Sequence, residues 1–340
     1  MVLPSLRFFG AWALLLLLAP ACPALEAKRL WEIEGLSQPR AASYDPQTRW
    51  IFISESSPTA NGGREGWIAK ADLSGRLTER RWLTGLEDPR GLCACGDSLF
   101  IADGKTVAVA SISKGRVLAR WKAPGAVGLE SVAVSTTCAV YAADPGAGIV
   151  YKFSPKGRGK ALARGSELRE PAGLLFDGLS KRLVAASRGP ADLKGGARKP
   201  GYLVAIGLAD GLVRPLSGPT GWLAGLAHYE DGFLVADRTL GQVVRAGADG
   251  KSSVVAFWPP PGPGLIWVVP KRFLKPLLPP GGRKEFAGVV EFENEAGKRV
   301  RALANISPDK ELKTQVNQPI LLVPRPEVGR VGAFELLEKD

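Results

Sequence analysis

The sequence predicts an all-β chain folded as a six-bladed β-propeller of four-stranded antiparallel blades. Three observations predict it. First, a strand-length apolar run ending in a small residue and, in most copies, an acid recurs five times. Glu55, Asp103, Asp144, Ser187 and Asp237 stand at its end, in steps of 48, 41, 43 and 50 residues, the spacing of propeller repeats. Second, each copy is preceded by one strand-length run and followed by another, in the same order. Third, the segment Pro219 to Phe257 shows all four runs of one blade: Gly221–Ala227, Phe233–Asp237, Gln242–Ala246 and Ser253–Phe257. Turns such as Glu230-Asp231-Gly232 divide them.

Taken in order, the chain opens on Arg7 and an apolar stretch, Phe8 to Leu18, followed by the small residues Ala19, Ala21 and Ala24. This run is too short for a bilayer span and suits a cleaved secretory signal over residues 1–24. A secreted or periplasmic protein is therefore expected, with cleavage after Ala21 or Ala24. The alternative is lipid attachment at Cys22, because Ala19-Pro20-Ala21-Cys22 is loosely similar to a lipobox, with alanine where that motif prefers leucine. No later apolar run is long enough to cross a membrane. The net charge is +12, but basic residues are spread among acidic ones along the chain. Basicity alone thus does not argue for nucleic acid, and none is expected as a partner. An anionic envelope surface or a polyanionic sugar stays open.

Cys93, Cys95 and Cys138 remain if cleavage falls after Ala24, and His228 is the chain's single histidine, so a zinc site has almost nothing to draw on. In an oxidising compartment a disulfide is the better use. Cys95 and Cys138 fall at the first turn of neighbouring repeats and are the expected pair, leaving Cys93 as a buried thiol.

Inner strands begin near Pro39-Arg40-Ala41, Pro89-Arg90-Gly91, Leu129-Glu130-Ser131, Pro171-Ala172-Gly173 and Leu223-Ala224-Gly225. Two longer excursions, Ser56 to Gly66 and Arg188 to Gly201, lie between the second and third strands of their blades, so both are expected as surface loops on one face. The sixth blade is split. Its inner strand with the following turn is read at Gly262–Arg272, its second strand at Pro319–Pro324 and its third at Arg330–Leu336. Without residues 273–318 the step from Asp237 to Pro324 is 41 residues, so 273–318 reads as an insertion in the first turn of this blade. It contains an expected hairpin, Glu285 to Asn294 against Arg299 to Ile306. The missing fourth strand is supplied by Arg29–Ile33, which closes the ring and removes two sheet edges. The propeller thus spans residues 25–340 as one domain.

Several segments carry a resemblance: Gln38-Pro39 with Tyr44-Asp45-Pro46, Gly66-Trp67-Ile68, Thr84-Gly85-Leu86, Pro171–Leu175, and the closing Leu322-Val323-Pro324 with Val331–Phe334. In repeat period and strand order the chain resembles the superfamily of senescence marker protein, gluconolactonase and luciferin-regenerating enzyme. That resemblance implies a six-bladed propeller. Its enzymes hold a divalent cation at the channel mouth and hydrolyse lactones or related esters. At the places matching the family's metal ligands this chain has Arg40, Glu130, Ala172, Ala224 and Leu265. Of these only Glu130 offers a cation ligand or a general base, whereas a hard cation needs several oxygens.

The expected function is accordingly binding, with no cofactor predicted. A small-molecule or sugar-like ligand would sit at the mouth among Arg40, Arg90 and Glu130, the arginines gripping a carboxylate or phosphate. A structural ion pair of Glu130 with one arginine is at least as strong a reading. Trp222, with Trp258 and Trp267, stacks on a sugar or packs blades together. His228 is read as a ligand contact or a structural strand-end residue. The alternatives are a lactonase-type ester hydrolase using Glu130 and a divalent cation such as calcium, or an envelope scaffold binding a protein partner through 273–318.

Overall fold

Six sheets of four antiparallel strands form the ring in the computed structural model, which describes residues 25–190, 199–216, 218–247, 250–257, 265–269, 291–293, 299–301 and 319–338. The protein is a six-bladed β-propeller. Blade one comprises Ala41–Asp45, Trp50–Pro58, Arg64–Ala71 and Leu77–Leu86, and blade two Pro89–Cys95, Ser98–Asp103, Thr106–Ser111 and Arg116–Lys122. Blade three comprises Ser131–Val134, Val140–Asp144, Ile149–Phe153 and Gly159–Arg164, and blade four Pro171–Asp177, Arg182–Ser187, Leu203–Gly207 and Val213–Pro215. Blade five comprises Leu223–Tyr229, Gly232–Asp237, Gln242–Ala246 and Ser252–Phe257. In blade six, Trp267–Val269, Ile320–Arg325 and Arg330–Glu338 are joined by Leu25–Ile33 from the other end of the chain.

The second strand of each blade is sandwiched between two neighbours. This explains runs such as Ile51-Phe52-Ile53 and Val184-Ala185-Ala186, which are buried on both faces instead of alternating. Hydrophobic clusters fill every junction, including that of blades six and one, where Ile33, Leu322 and Val331 meet Tyr44, Ile51 and Ala69. The ring is closed by the register Ile33↔Val331 to Leu25↔Glu338 between the outer strand and the third strand of blade six.

A disulfide joins Cys95 of blade two to Cys138, at the first turn of blade three, with the Cα atoms 5.9 Å apart. Cys93 is a buried free thiol whose pKa burial pushes up to about 12. One excursion differs from expectation. Ser56 to Gly66 is not a loop but a continued hairpin, in which Ser57 pairs with Glu65 and Pro58 with Arg64. Its polar side chains sit on sheet that rises past the blade, so they need no apolar neighbour. Of the expected insertion hairpin, Glu291–Glu293 pairs with Arg299–Arg301. The remainder of 273–318 lies outside the described residues, apart from these strands, as do the expected signal over 1–24, Cys22 and Trp258.

Candidate functional site

The inner strands of the six blades enclose a central cavity of ≈ 370 Å³, bounded among others by Ala41, Gly91, Ser131, Gly173, Leu226 and Leu265. Near the end where these strands begin, backbones of adjacent blades touch. The amide of Gly91 donates to the carbonyl of Glu130 at 2.9 Å, and Ala41 bridges Leu265. A Cβ on Gly91 would fall 2.6 Å from Ser131 Cα, and one on Gly173 would fall 2.5 Å from the Ala224 carbonyl oxygen. Only glycine permits that approach.

The repeating acid sets the geometry of this end. Asp103 Oδ1 accepts the amides of Glu87 and Asp88, each at 2.8 Å, and Asp144 Oδ2 accepts those of Val127 at 2.7 Å and Gly128 at 3.1 Å. Each acid therefore clasps the linker that enters its own blade, fixing where the inner strand begins. The clasp at Asp103 presents the Asp88 carboxylate at the rim. There it accepts Arg64 Nε at 2.8 Å and Arg90 Nε at 3.0 Å.

A chain of charges continues from Asp88 around the mouth. Arg90 Nη1 donates to Glu130 Oε2, and Arg188 Nη2 lies 2.8 Å from Glu130 Oε1. Burial alone raises the pKa of a carboxyl, but Arg188 and Arg90 outweigh it and hold Glu130 below the ordinary value. For Arg90, burial is likewise outweighed by Glu130 and Asp88, so its guanidinium lies above its ordinary value. Arg40 stands apart. Among the described residues it makes no ion pair, and its Nε is buried without a hydrogen-bond partner. Burial and the neighbouring Arg90 lower its pKa, against the opposing pull of Glu130 and Asp88. An arginine remains charged through any such shift.

The chain matches no family model and no curated protein. Among solved structures it is similar to a protein assigned as a gluconolactonase, at 14% identity and TM-score 0.55, covering 93% of each chain. It is similar to a streptogramin B lyase, at 13% identity and TM-score 0.53, over 92% of this chain and 97% of the other. It also resembles virginiamycin B lyase from Staphylococcus aureus, at 10% identity and TM-score 0.54, over 92% of this chain and 99% of that one. What the likeness shows is the β-propeller fold. The resemblance to gluconolactonase-type propellers holds at that level.

Within this fold the five positions matched to metal ligands lie at one end of the inner strands. Arg40 and Glu130 immediately precede Ala41 and Ser131, Ala172 and Ala224 lie in the first two residues of their strands, and Leu265 bridges Ala41. Trp222 is at the same end, with its carbonyl accepting the Arg238 amide at 3.0 Å and the Arg238 guanidinium 5.7 Å from its ring centre. His228 is not there. It lies five residues beyond Leu223, roughly 17 Å along an extended strand, lining the far part of the cavity with Phe176. Its Nε2 is 3.2 Å from the Phe176 carbonyl and its ring packs on Phe233.

Sequence reasoning missed Arg64, Asp88 and Arg188. Arg64 and Arg188 belong to the two long excursions, and Asp88 to a linker. The available signal was an arginine close to one end of each excursion: Arg64, two residues before Gly66, and Arg188, the first residue of its own.

Proposed function

We propose that the chain is an exported, non-catalytic binding propeller whose channel mouth takes a small organic anion, a carboxylate or phosphate such as a sugar acid carries. The observation that carries this reading is Arg40, a half-buried guanidinium at the head of an inner strand with no acid paired to it among the described residues. A charge withdrawn from water without a partner is costly. A bound carboxylate or phosphate would supply the missing acceptors in bidentate fashion. The family's divalent cation does not fit the same place. The one carboxylate among the five matched positions, Glu130, already has both oxygens engaged by guanidiniums. Arg40 would repel a cation, and alanine and leucine side chains donate nothing. Among the described residues no three His, Cys, Asp or Glu side chains come together as a metal site.

Calorimetric titration of the purified protein with gluconate, glucose 6-phosphate and neutral glucose tests this. Binding of one or both anions, no binding of glucose, and loss of anion binding in Arg40→Gln are the expected results. Stoichiometric calcium or zinc together with lactone turnover that disappears in Glu130→Gln would overturn the reading in favour of a hydrolase. Export is checked separately, by the N-terminal residue of protein recovered from the envelope or medium.

A further inference from the structure

We propose that the flank formed by the third and outer strands of blades two and three is a docking surface for a linear acidic polysaccharide. Along the sequence as a whole, basic and acidic residues are mixed. On this flank they are not. Residues 104–122 and 145–166 each hold five lysines and arginines and no aspartate or glutamate, although the chain carries 33 acids in 340 residues. These ten charges approach the net +12 of the whole chain. Other blades mix the signs, as where Arg81 pairs with Glu65 and Lys70 with Glu79 in blade one.

The two strips form one continuous surface. Trp121 of blade two sits on the turn of blade three, where a Cβ on Gly157 would fall 2.2 Å from its ring, and one on Gly159 would fall 2.7 Å from the Lys122 carbonyl oxygen. Lys122 therefore adjoins Lys156, Arg158 and Lys160, all exposed, with Arg116 and Arg164 at either side. None of these six makes an ion pair among the described residues. At the borders acids reappear: Asp103 holds Arg120, Asp97 faces Lys114, and Asp210 lies in the adjoining turn of blade four.

A second observation points to a ligand. Lys152 and Lys160 stand directly opposite each other across the last two strands of blade three. A like-charge pair in that position is destabilising, and an anion laid across the strands relieves it. Same-side residues along a strand repeat every ~6.8 Å and strands lie ~4.8 Å apart, so the cations form a ladder suited to a polymer with charges at regular short intervals. The choice among polyanions follows from shape and composition. Neighbouring blades are turned by about 60° in a six-bladed ring, so a flat membrane meets one strip, whereas a chain can cross both. Single-stranded nucleic acid recruits exposed aromatic faces, but the Trp121 ring is occupied by Gly157 and stacked on Phe153; duplex DNA is one arm of the binding test. Leu118 is the one large apolar side chain exposed in these strips.

The test is binding of full-length mature protein to heparin and to polygalacturonate, with uncharged dextran as control, across a salt series. Expected are binding to at least one acidic polysaccharide that falls steeply with salt, and a loss of about tenfold or more in Lys156→Glu/Arg158→Glu/Lys160→Glu. The control Lys181→Glu/Lys199→Glu/Arg214→Glu, on blade four, should lose far less. Thermal melting confirms that both variants fold. If the first does not, Lys160→Gln reads the same loss at smaller size. No binding, equal losses in the two triple variants, or tighter binding to duplex DNA or to phosphatidylglycerol vesicles than to either polysaccharide would overturn the proposal.

Discussion

At the rim of the channel, both oxygens of Glu130 are taken by Arg90 and Arg188, and Arg90 in turn is braced by Asp88. Removing the carboxylate takes the paired acid from half-buried Arg188 and leaves Arg90 with Asp88 alone. Glu130→Ala is therefore expected to cost roughly 3 kcal/mol, measured by chemical denaturation, whereas Arg40→Gln should leave stability unchanged or raise it. Because the Glu130 pKa is held below its ordinary value, its stabilising effect is present above the unfolded-state pKa and is lost as pH falls through the folded one. Glu335 has the opposite sign. It is buried in the third strand of blade six, its Oε1 has no hydrogen-bond partner, and Lys28 is the charged group facing it. Burial raises its pKa from 4.5 to about 7 against the pull of Lys28. The folded state then holds the proton more tightly, so stability falls as pH rises from about 4.5 through about 7. Glu335→Gln should be more stable than wild type at pH 8 by an amount on the order of 2 kcal/mol, and close to it at pH 4. A constant difference between the two pH values would remove this account.

Elements meet through a device that repeats around part of the ring. Trp31 in the outer strand of blade six, Trp82 in that of blade one and Trp121 in that of blade two each lie on a glycine in the next blade: Gly75, Gly115 and Gly157. All three glycines have positive φ, +79°, +57° and +77°. Trp31 also donates its indole N–H to the Leu73 carbonyl at 2.8 Å. The glycine meets two demands at once, a left-handed turn and a flat seat for an indole. Gly157→Ala should thus destabilise by more than the roughly 1 kcal/mol of a turn glycine alone, since its methyl group strikes Trp121. In the Trp121→Ala background the same change should cost only the backbone part. A double-mutant cycle in urea measures the difference, and additive effects would show that the contact carries no energy.

This scale also shows what the sequence made legible. The period of the strand-end residues, acids in four of five copies, marked five blades, because a propeller repeats one local pattern; the sixth emerged once 273–318 was set aside. Arg40, Arg90 and Glu130 were visible because they head inner strands, and strand starts can be read off the period. Arg64 and Arg188 were not, since their return to the rim depends on a hairpin that rises past the blade and on the chain leaving Ser187. The gathering of charge on blades two and three was equally hidden. It becomes apparent only when two stretches about forty residues apart are laid side by side.

In the whole molecule, blade six is the only one built from both ends of the chain: Leu25–Ile33 pairs with Arg330–Glu338, while Ile320–Arg325 pairs with the latter's other edge. This pairing makes the ring a single cooperative closure, because opening it anywhere else leaves the two chain ends fastened. Its register suggests how to test that role without deleting any contact. Leu25 stands opposite Glu338, so residues 25–33 can be moved behind Asp340 through a short glycine linker, forming a hairpin in place of the long-range pair. In this permutant all four strands of blade six are consecutive in the chain, the hydrophobic junction with blade one is retained, and the fold should be reached with the same circular dichroism. The ring is then fastened between blades six and one by non-covalent contacts alone: side-chain packing, the bridge of Ala41 to Leu265, and the Leu36 amide on the Gly329 carbonyl. We expect unfolding in denaturant to be about tenfold faster or more, as the covalent constraint on the junction is gone and blade one can peel away first. An unfolding rate equal to that of the native order would show that the non-covalent contacts at this junction, and not the shared blade, keep the ring shut.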